Sequence, residues 1–314
     1  MGENYIFELN ENVTREHVSY KNRYGITLAA DLYTKKNLDT SMKYPAIVIG
    51  PPYGGVKEQG PGVYANQLAQ RGFIVLAFDP SFMGESGGEP RNISSPDIFA
   101  ENFSAGVDYL GLLPYVDREK IGAIGICGSG GFALSTAQMD TRIKAVATAS
   151  MYDISRAGEY FMSPEQMRES IVQLSMQRWN DAENGTPELQ MGFPEKPVDK
   201  VPEGLDPVSA EFFSFYGLKR GHHPHARGGF SSTSNLAMGN FHSLEHLDRI
   251  SPRPILLIAG QQAHSKFFSD DVYAAASEPK ELYVVPDCIH IDLYDDITKI
   301  PFDKLEGFFK ENLK

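Results

Sequence analysis

The chain has 314 residues, 41% hydrophobic and 22% charged, and 29 basic against 41 acidic residues give it a formal net charge of −12. That balance argues against a nucleic-acid partner, and no run approaches the roughly 18 uncharged apolar residues of a membrane-spanning helix. Two distant cysteines, Cys127 and Cys288, exclude a disulfide framework and favour a reduced, cytoplasmic setting; the N-terminal Met-Gly-Glu-Asn-Tyr has no signal-peptide character.

The first elements read as a strand pair, His17 to Tyr20 and Ile26 to Tyr33, joined by a turn at Asn22–Gly25. Apolar runs follow at Tyr44–Gly50, Phe73–Phe78, Ile121–Ile126, Ile143–Ala149, Pro254–Ala259 and Glu281–Val285. Helical stretches separate them, at Tyr64–Arg71, Asp97–Leu112 and about Gly130–Met139, and each of the last two runs also precedes one. Apolar strands without alternation, divided by helices, predict a parallel sheet covered on both faces, an α/β fold. The rhythm breaks between about Asp153 and Ser251, where only residues 164–182 read as plainly helical. Almost a hundred residues are too many for an ordinary loop. A core of residues 1–152 and 251–314, with a largely helical cap inserted at 153–250, is therefore expected.

The segment carrying the most chemistry is Gly125-Ile-Cys-Gly-Ser-Gly-Gly131, where a buried strand runs into a helix. Gly-x-nucleophile-x-small is the elbow pattern, because a sharp strand-to-helix turn admits only small neighbours two before and two after the nucleophile. Gly125 and Ser129 satisfy it around Cys127. Ser129 is the rival register, flanked by Cys127 and Gly131, but it falls two residues further past the strand. The helix N-terminus favours developing negative charge beside either one. A merely buried thiol is the structural alternative, although it would not need so many glycines.

These segments carry a family resemblance. With Lys57-Glu-Gln59, Phe78-Asp-Pro-Ser-Phe-Met-Gly-Glu-Ser-Gly-Gly88, Met151-Tyr-Asp153, Ser251-Pro-Arg-Pro254 and His290-Ile-Asp-Leu-Tyr294, the elbow resembles an α/β-hydrolase of the dienelactone-hydrolase-like branch. Within it, the chain is similar to bacterial hydrolases related to fungal polyketide transferases. Ser129 departs from the closer relatives, which carry a bulky aromatic there, and that favours Cys127 as nucleophile. The resemblance implies a mostly parallel, doubly wound sheet.

In this fold the base lies in the loop after the last strand, where the only histidine is His290. The usual acid position after the penultimate strand is occupied by Ala263, in Gly260-Gln-Gln-Ala263. The resemblance places an acid at the end of the preceding strand in some members, which points to Asp153. Asp270 and Asp271 read as first-turn helix carboxylates, and a dyad with no acid also stays open. His264 lies where the acid loop ends. His222, His223 and His225 lack a completing carboxylate or thiol nearby, so no metal and no cofactor are expected. The oxyanion donors expected are the Gly128 amide and, since Pro51 and Pro52 have no N–H, that of Tyr53, with Gly54 next. Glu58 reads as an exposed helix-start carboxylate, and Gly84, Gly87 and Gly88 as a sharp turn.

The expected activity is hydrolysis of an ester, lactone or thioester through an acyl-thioenzyme. Acyl transfer at the same site, or a non-catalytic binding protein of the same fold, are the alternatives. The expected partner is a small-molecule acyl substrate, with neither nucleic acid nor membrane, and a homodimer stays open. An apolar acyl pocket is expected from Phe161, Trp179, Phe212, Phe213 and Phe230.

Overall fold

The computed structural model describes residues 4–314. The chain opens with β1 (Val13–Lys21) and β2 (Thr27–Lys35), an antiparallel pair joined through Asn22, whose side chain accepts from the amides of Tyr24 and Ile26. Then come β3 (Tyr44–Gly50), α1 (Gly60–Gln70), β4 (Ile74–Phe78), α2 (Pro96–Leu112), β5 (Val116–Ile126), α3 (Gly128–Ala137) and β6 (Ile143–Ala149). The intervening segment holds α4 (Ala157–Phe161), α5 (Pro164–Asn184), β7 (Leu189–Gln190), α6 (Pro207–Tyr216), β8 (Phe230–Ser231) and α7 (Ser234–Gly239). The chain returns with β9 (Ile255–Gly260), α8 (Lys266–Ala275), β10 (Lys280–Val285), α9 (Asp292–Asp295) and α10 (Phe302–Asn312).

Eight strands form one sheet in the order β1-β2-β4-β3-β5-β6-β9-β10. From β4 to β10 every neighbouring pair is parallel, while β2 runs antiparallel to both β1 and β4. The central strands bury nearly every side chain, as the unalternating apolar runs require, because helices cover both faces. This is the α/β-hydrolase fold. The parallel strands end together, so the loops after β3, β5, β6, β9 and β10 meet above one edge of the sheet.

Between β6 and β9 no described residue joins that sheet; β7 and β8 pair only with each other. The segment is more helical than its sequence suggests. α6 was hidden because Phe212, Phe213, Phe215 and Tyr216 blur its polar face, although Asp206 caps it by accepting from the amides of Val208 and Ser209. Among the described residues, no helix is long and apolar enough to cross a membrane.

Candidate active site

Cys127 sits between β5 and α3 with φ +53° and ψ −121°, a strained conformation for a residue with a side chain. The turn is held by backbone bonds: the Cys127 amide donates to Ala149 O (2.9 Å), and its carbonyl accepts from Gly130 (2.8 Å) and Tyr152 (2.9 Å). Gly125 is required, since a Cβ there would collide with the Ser129 carbonyl. Gly130 is required too, because its Cβ would strike Met151 at the end of β6. The glycines therefore serve the elbow. Ser129 is buried beside Gly50 and Phe103, beneath the turn.

Cys127 lines a cavity of about 460 Å³. Burial pushes its pKa up, while the backbone amides of Tyr53 and Gly128 oppose that shift. Those amides belong to two segments that meet beside the thiol, where a Cβ on Gly128 would lie 2.8 Å from the Tyr53 Cβ. Tyr53 is fixed behind them: its hydroxyl donates to Ser94 Oγ at 2.7 Å and its ring stacks on Phe230 with centroids 4.1 Å apart. A carbonyl carbon brought to the sulfur would thus point its oxygen at two preset donors.

His290 is fully buried after β10. Its Nε2 lies 2.8 Å from the Tyr294 hydroxyl, and its Nδ1 lies 2.5 Å from Ser265 Oγ. The loop is pinned by Ser150 Oγ, which donates to the His290 carbonyl at 2.8 Å. Burial, aided by neighbouring His264, holds the imidazole well below its ordinary pKa, so it rests neutral.

The acid expectation is corrected here. Asp153 does not meet His290; its Oδ1 accepts from the Ser155 amide (3.1 Å) and the Ser155 hydroxyl (2.5 Å), capping a short 3₁₀ turn. Its other oxygen is buried without a partner, and burial raises its pKa. Asp270 pairs with Lys266 at 2.7 Å, and Asp271 with Arg156 and the Tyr160 hydroxyl. Among the described residues, no carboxylate contacts either nitrogen of His290. Ser265, two residues beyond Ala263, takes the acid's place.

The pocket expectation is corrected in part. Phe212 and Phe213 line the cavity, with Phe193, Leu205, Tyr152 and Tyr216 among their neighbours. Phe161 and Trp179 are exposed on α4 and α5, away from it, and Phe230 packs behind Tyr53. Amphipathic helices of the intervening segment turn some aromatics to solvent, which composition cannot reveal. Glu58 is also buried rather than exposed: with Asp79 (3.2 Å) and Glu85 (2.6 Å) it closes on the Lys57 ammonium. Lys57 fills the position a cation would take among those carboxylates.

Sequence reasoning assigned no role to Ser265, Tyr294 or the set Glu211–His264–Tyr152. In that set His264 Nδ1 lies 3.2 Å from Glu211 and Nε2 2.9 Å from the Tyr152 hydroxyl. A signal for Tyr294 existed, since His290 and Tyr294 are four residues apart, a spacing that faces side chains together over one helical turn.

Residues 28–173 match the model of the dienelactone hydrolase family. An uncharacterized protein of Pseudomonas aeruginosa is 49% identical over 98% of this chain and 83% of its own. Its crystal structure superposes with a TM-score of 0.92, covering 98% of this chain and 96% of that one. A polyketide transferase of a Penicillium species is 25% identical over 95% of this chain and 97% of its own. A thiohydrolase of Aspergillus aculeatus is 25% identical over 91% of this chain and 87% of its own. The sheet order, the elbow turn and these similarities agree: the chain belongs to the dienelactone hydrolase family of α/β-hydrolases and is a hydrolase.

Proposed function

We propose that the chain hydrolyses an uncharged acyl ester or thioester through a covalent acyl-thioenzyme on Cys127. The observation that carries this reading is the thiol's position: at positive φ and lining the cavity, with Tyr53 and Gly128 side by side next to it. Attack by sulfur on the carbonyl carbon moves negative charge onto an oxygen that those amides receive. His290 is the base, and a hydrogen bond from Nδ1–H to Ser265 Oγ fixes the tautomer that leaves Nε2 unprotonated. A serine brings no charge, so an imidazolium gains less than it would from a carboxylate. Water then takes the leaving group's place and releases the acid.

The substrate class follows from the walls. Among the described residues, no charged side chain lines the cavity, and its aromatic residues suit an apolar acyl group. Phe193, Leu205, Phe212, Phe213 and Tyr216 come from residues 153–250, which supports reading that segment as a cap that excludes water. Relatives named thiohydrolase and polyketide transferase, similar over most of their length, support thioesters as donors and acyl transfer as a second outcome. The two outcomes differ only in whether water or an alcohol enters last.

The test is a pre-steady-state assay with a short aryl ester and a neutral acyl thioester. A burst of about one equivalent of leaving group is expected from the native protein and none from Cys127→Ala. A burst that survives Cys127→Ala would overturn the reading.

A further inference from the structure

His290 does not line the cavity, and its Nε2 is occupied by the Tyr294 hydroxyl at 2.8 Å. Tyr294 does line the cavity, together with Cys127. The phenol is thus the group that connects the base to the cavity holding the sulfur. The geometry points to Tyr294 as a catalytic residue that relays the proton between Cys127 Sγ and His290 Nε2. This rests on the acyl-thioenzyme reading.

The directions of the bonds fit. With Nδ1–H donating to Ser265 Oγ, Nε2 can only accept, so the Tyr294 O–H donates to it and the phenol oxygen is left to accept the thiol proton. As the S–C bond forms, the thiol proton passes to the Tyr294 oxygen while Tyr294's own proton passes to Nε2. The carbonyl π pair moves to the oxygen held by the Tyr53 and Gly128 amides. On collapse, Nε2 returns its proton to Tyr294, whose proton goes to the leaving sulfur or oxygen as its bond to carbon breaks. Deacylation repeats the two transfers with water in place of the thiol. Tyr294 itself ends each step neutral.

A purely packing role for Tyr294 makes a different demand on its groups. Its ring lies edge-on to Phe215, with centroids 5.2 Å apart, and phenylalanine would keep that contact. Only the hydroxyl is spent on the imidazole. Burial also holds the phenol well above its ordinary pKa, so the two protons must move together rather than through a tyrosinate.

The experiment is a proton inventory on kcat/KM for a neutral acyl thioester, in mixtures of light and heavy water, on native protein, Tyr294→Phe and Cys127→Ala. A bowed inventory, two protons in flight, is expected from native protein. Tyr294→Phe should keep its circular dichroism and fall about 10²- to 10⁴-fold in kcat/KM, with a linear inventory for the remainder. A linear native inventory overturns the relay, whatever the variants do. So does a Tyr294→Phe protein within about threefold of native beside an inactive Cys127→Ala, and in that case the acyl-thioenzyme reading stands. An active Cys127→Ala removes both.

Discussion

The Nδ1 of His290 rests on the hydroxyl of Ser265, 2.5 Å away, at the position where an acid was expected. Ser265 is itself buried and begins α8, so its hydroxyl is held by the fold rather than by solvent. Ser265→Ala should leave Nδ1 unpaired and lower kcat about 10- to 100-fold with little change in KM, since the imidazole would lose its fixed tautomer. Steady-state kinetics on a neutral thioester measure this. An unchanged kcat would remove Ser265 from the site.

Asp153→Asn is expected to leave turnover within about threefold of native. Asparagine can still accept from Ser155, and the unpartnered buried oxygen it replaces costs free energy in the native fold. Equilibrium unfolding should show equal or slightly higher stability. A loss of several orders of magnitude in kcat would mean that Asp153 reaches His290 during turnover.

Much of this architecture was legible. The runs at Tyr44–Gly50 and Ile143–Ala149 coincide with β3 and β6, because a strand buried on both faces must be apolar throughout. The elbow was legible because its glycines face backbone or side chains that admit no Cβ. The acid was not. Ser265 looks like any residue before a helix, and Asp153, the end-of-strand carboxylate, turns to its own 3₁₀ turn instead. Nor could composition separate Phe212, on the cavity wall, from Trp179, which faces solvent.

The cavity wall predicts substrate preference. Phe212→Ala should raise KM about tenfold or more for a medium-length acyl thioester, by removing a buried aromatic face. A short acetyl donor should lose far less. A lactone or ester bearing a carboxylate on its acyl part should be a poor substrate, since among the described residues no cation lines the wall to pair with it. Better turnover of the charged donor than of its neutral analogue would contradict the uncharged-acyl assignment.

A pH effect on stability should trace to His223. Burial, with repulsion from His225, Lys57 and His222, lowers its pKa from 6.5 to about 4, although Glu58 lies 3.9 Å from Nε2 and Glu85 pulls the other way. The unfolded chain therefore binds the extra proton first. This contribution is fully present above pH 6.5 and is lost as pH falls towards 4, by roughly 3 kcal/mol in all. Urea unfolding of native protein and His223→Asn at pH 7 and pH 4.5 should show a smaller acid loss in the variant. Equal losses would place the acid sensitivity elsewhere.

Cys127 and Cys288 offer the most direct test of the central claim. Cys288 is fully buried, with its thiol pushed up to about 12, whereas Cys127 opens onto the cavity. Native protein mixed with a neutral aryl ester, quenched in acid within the first turnover and digested, should show the acyl mass on the peptide containing Cys127 alone. The account predicts about one acyl group per chain, located on that sulfur and absent from Cys127→Ala. An acyl group on Ser129, or turnover with no acyl group on the protein, would contradict it.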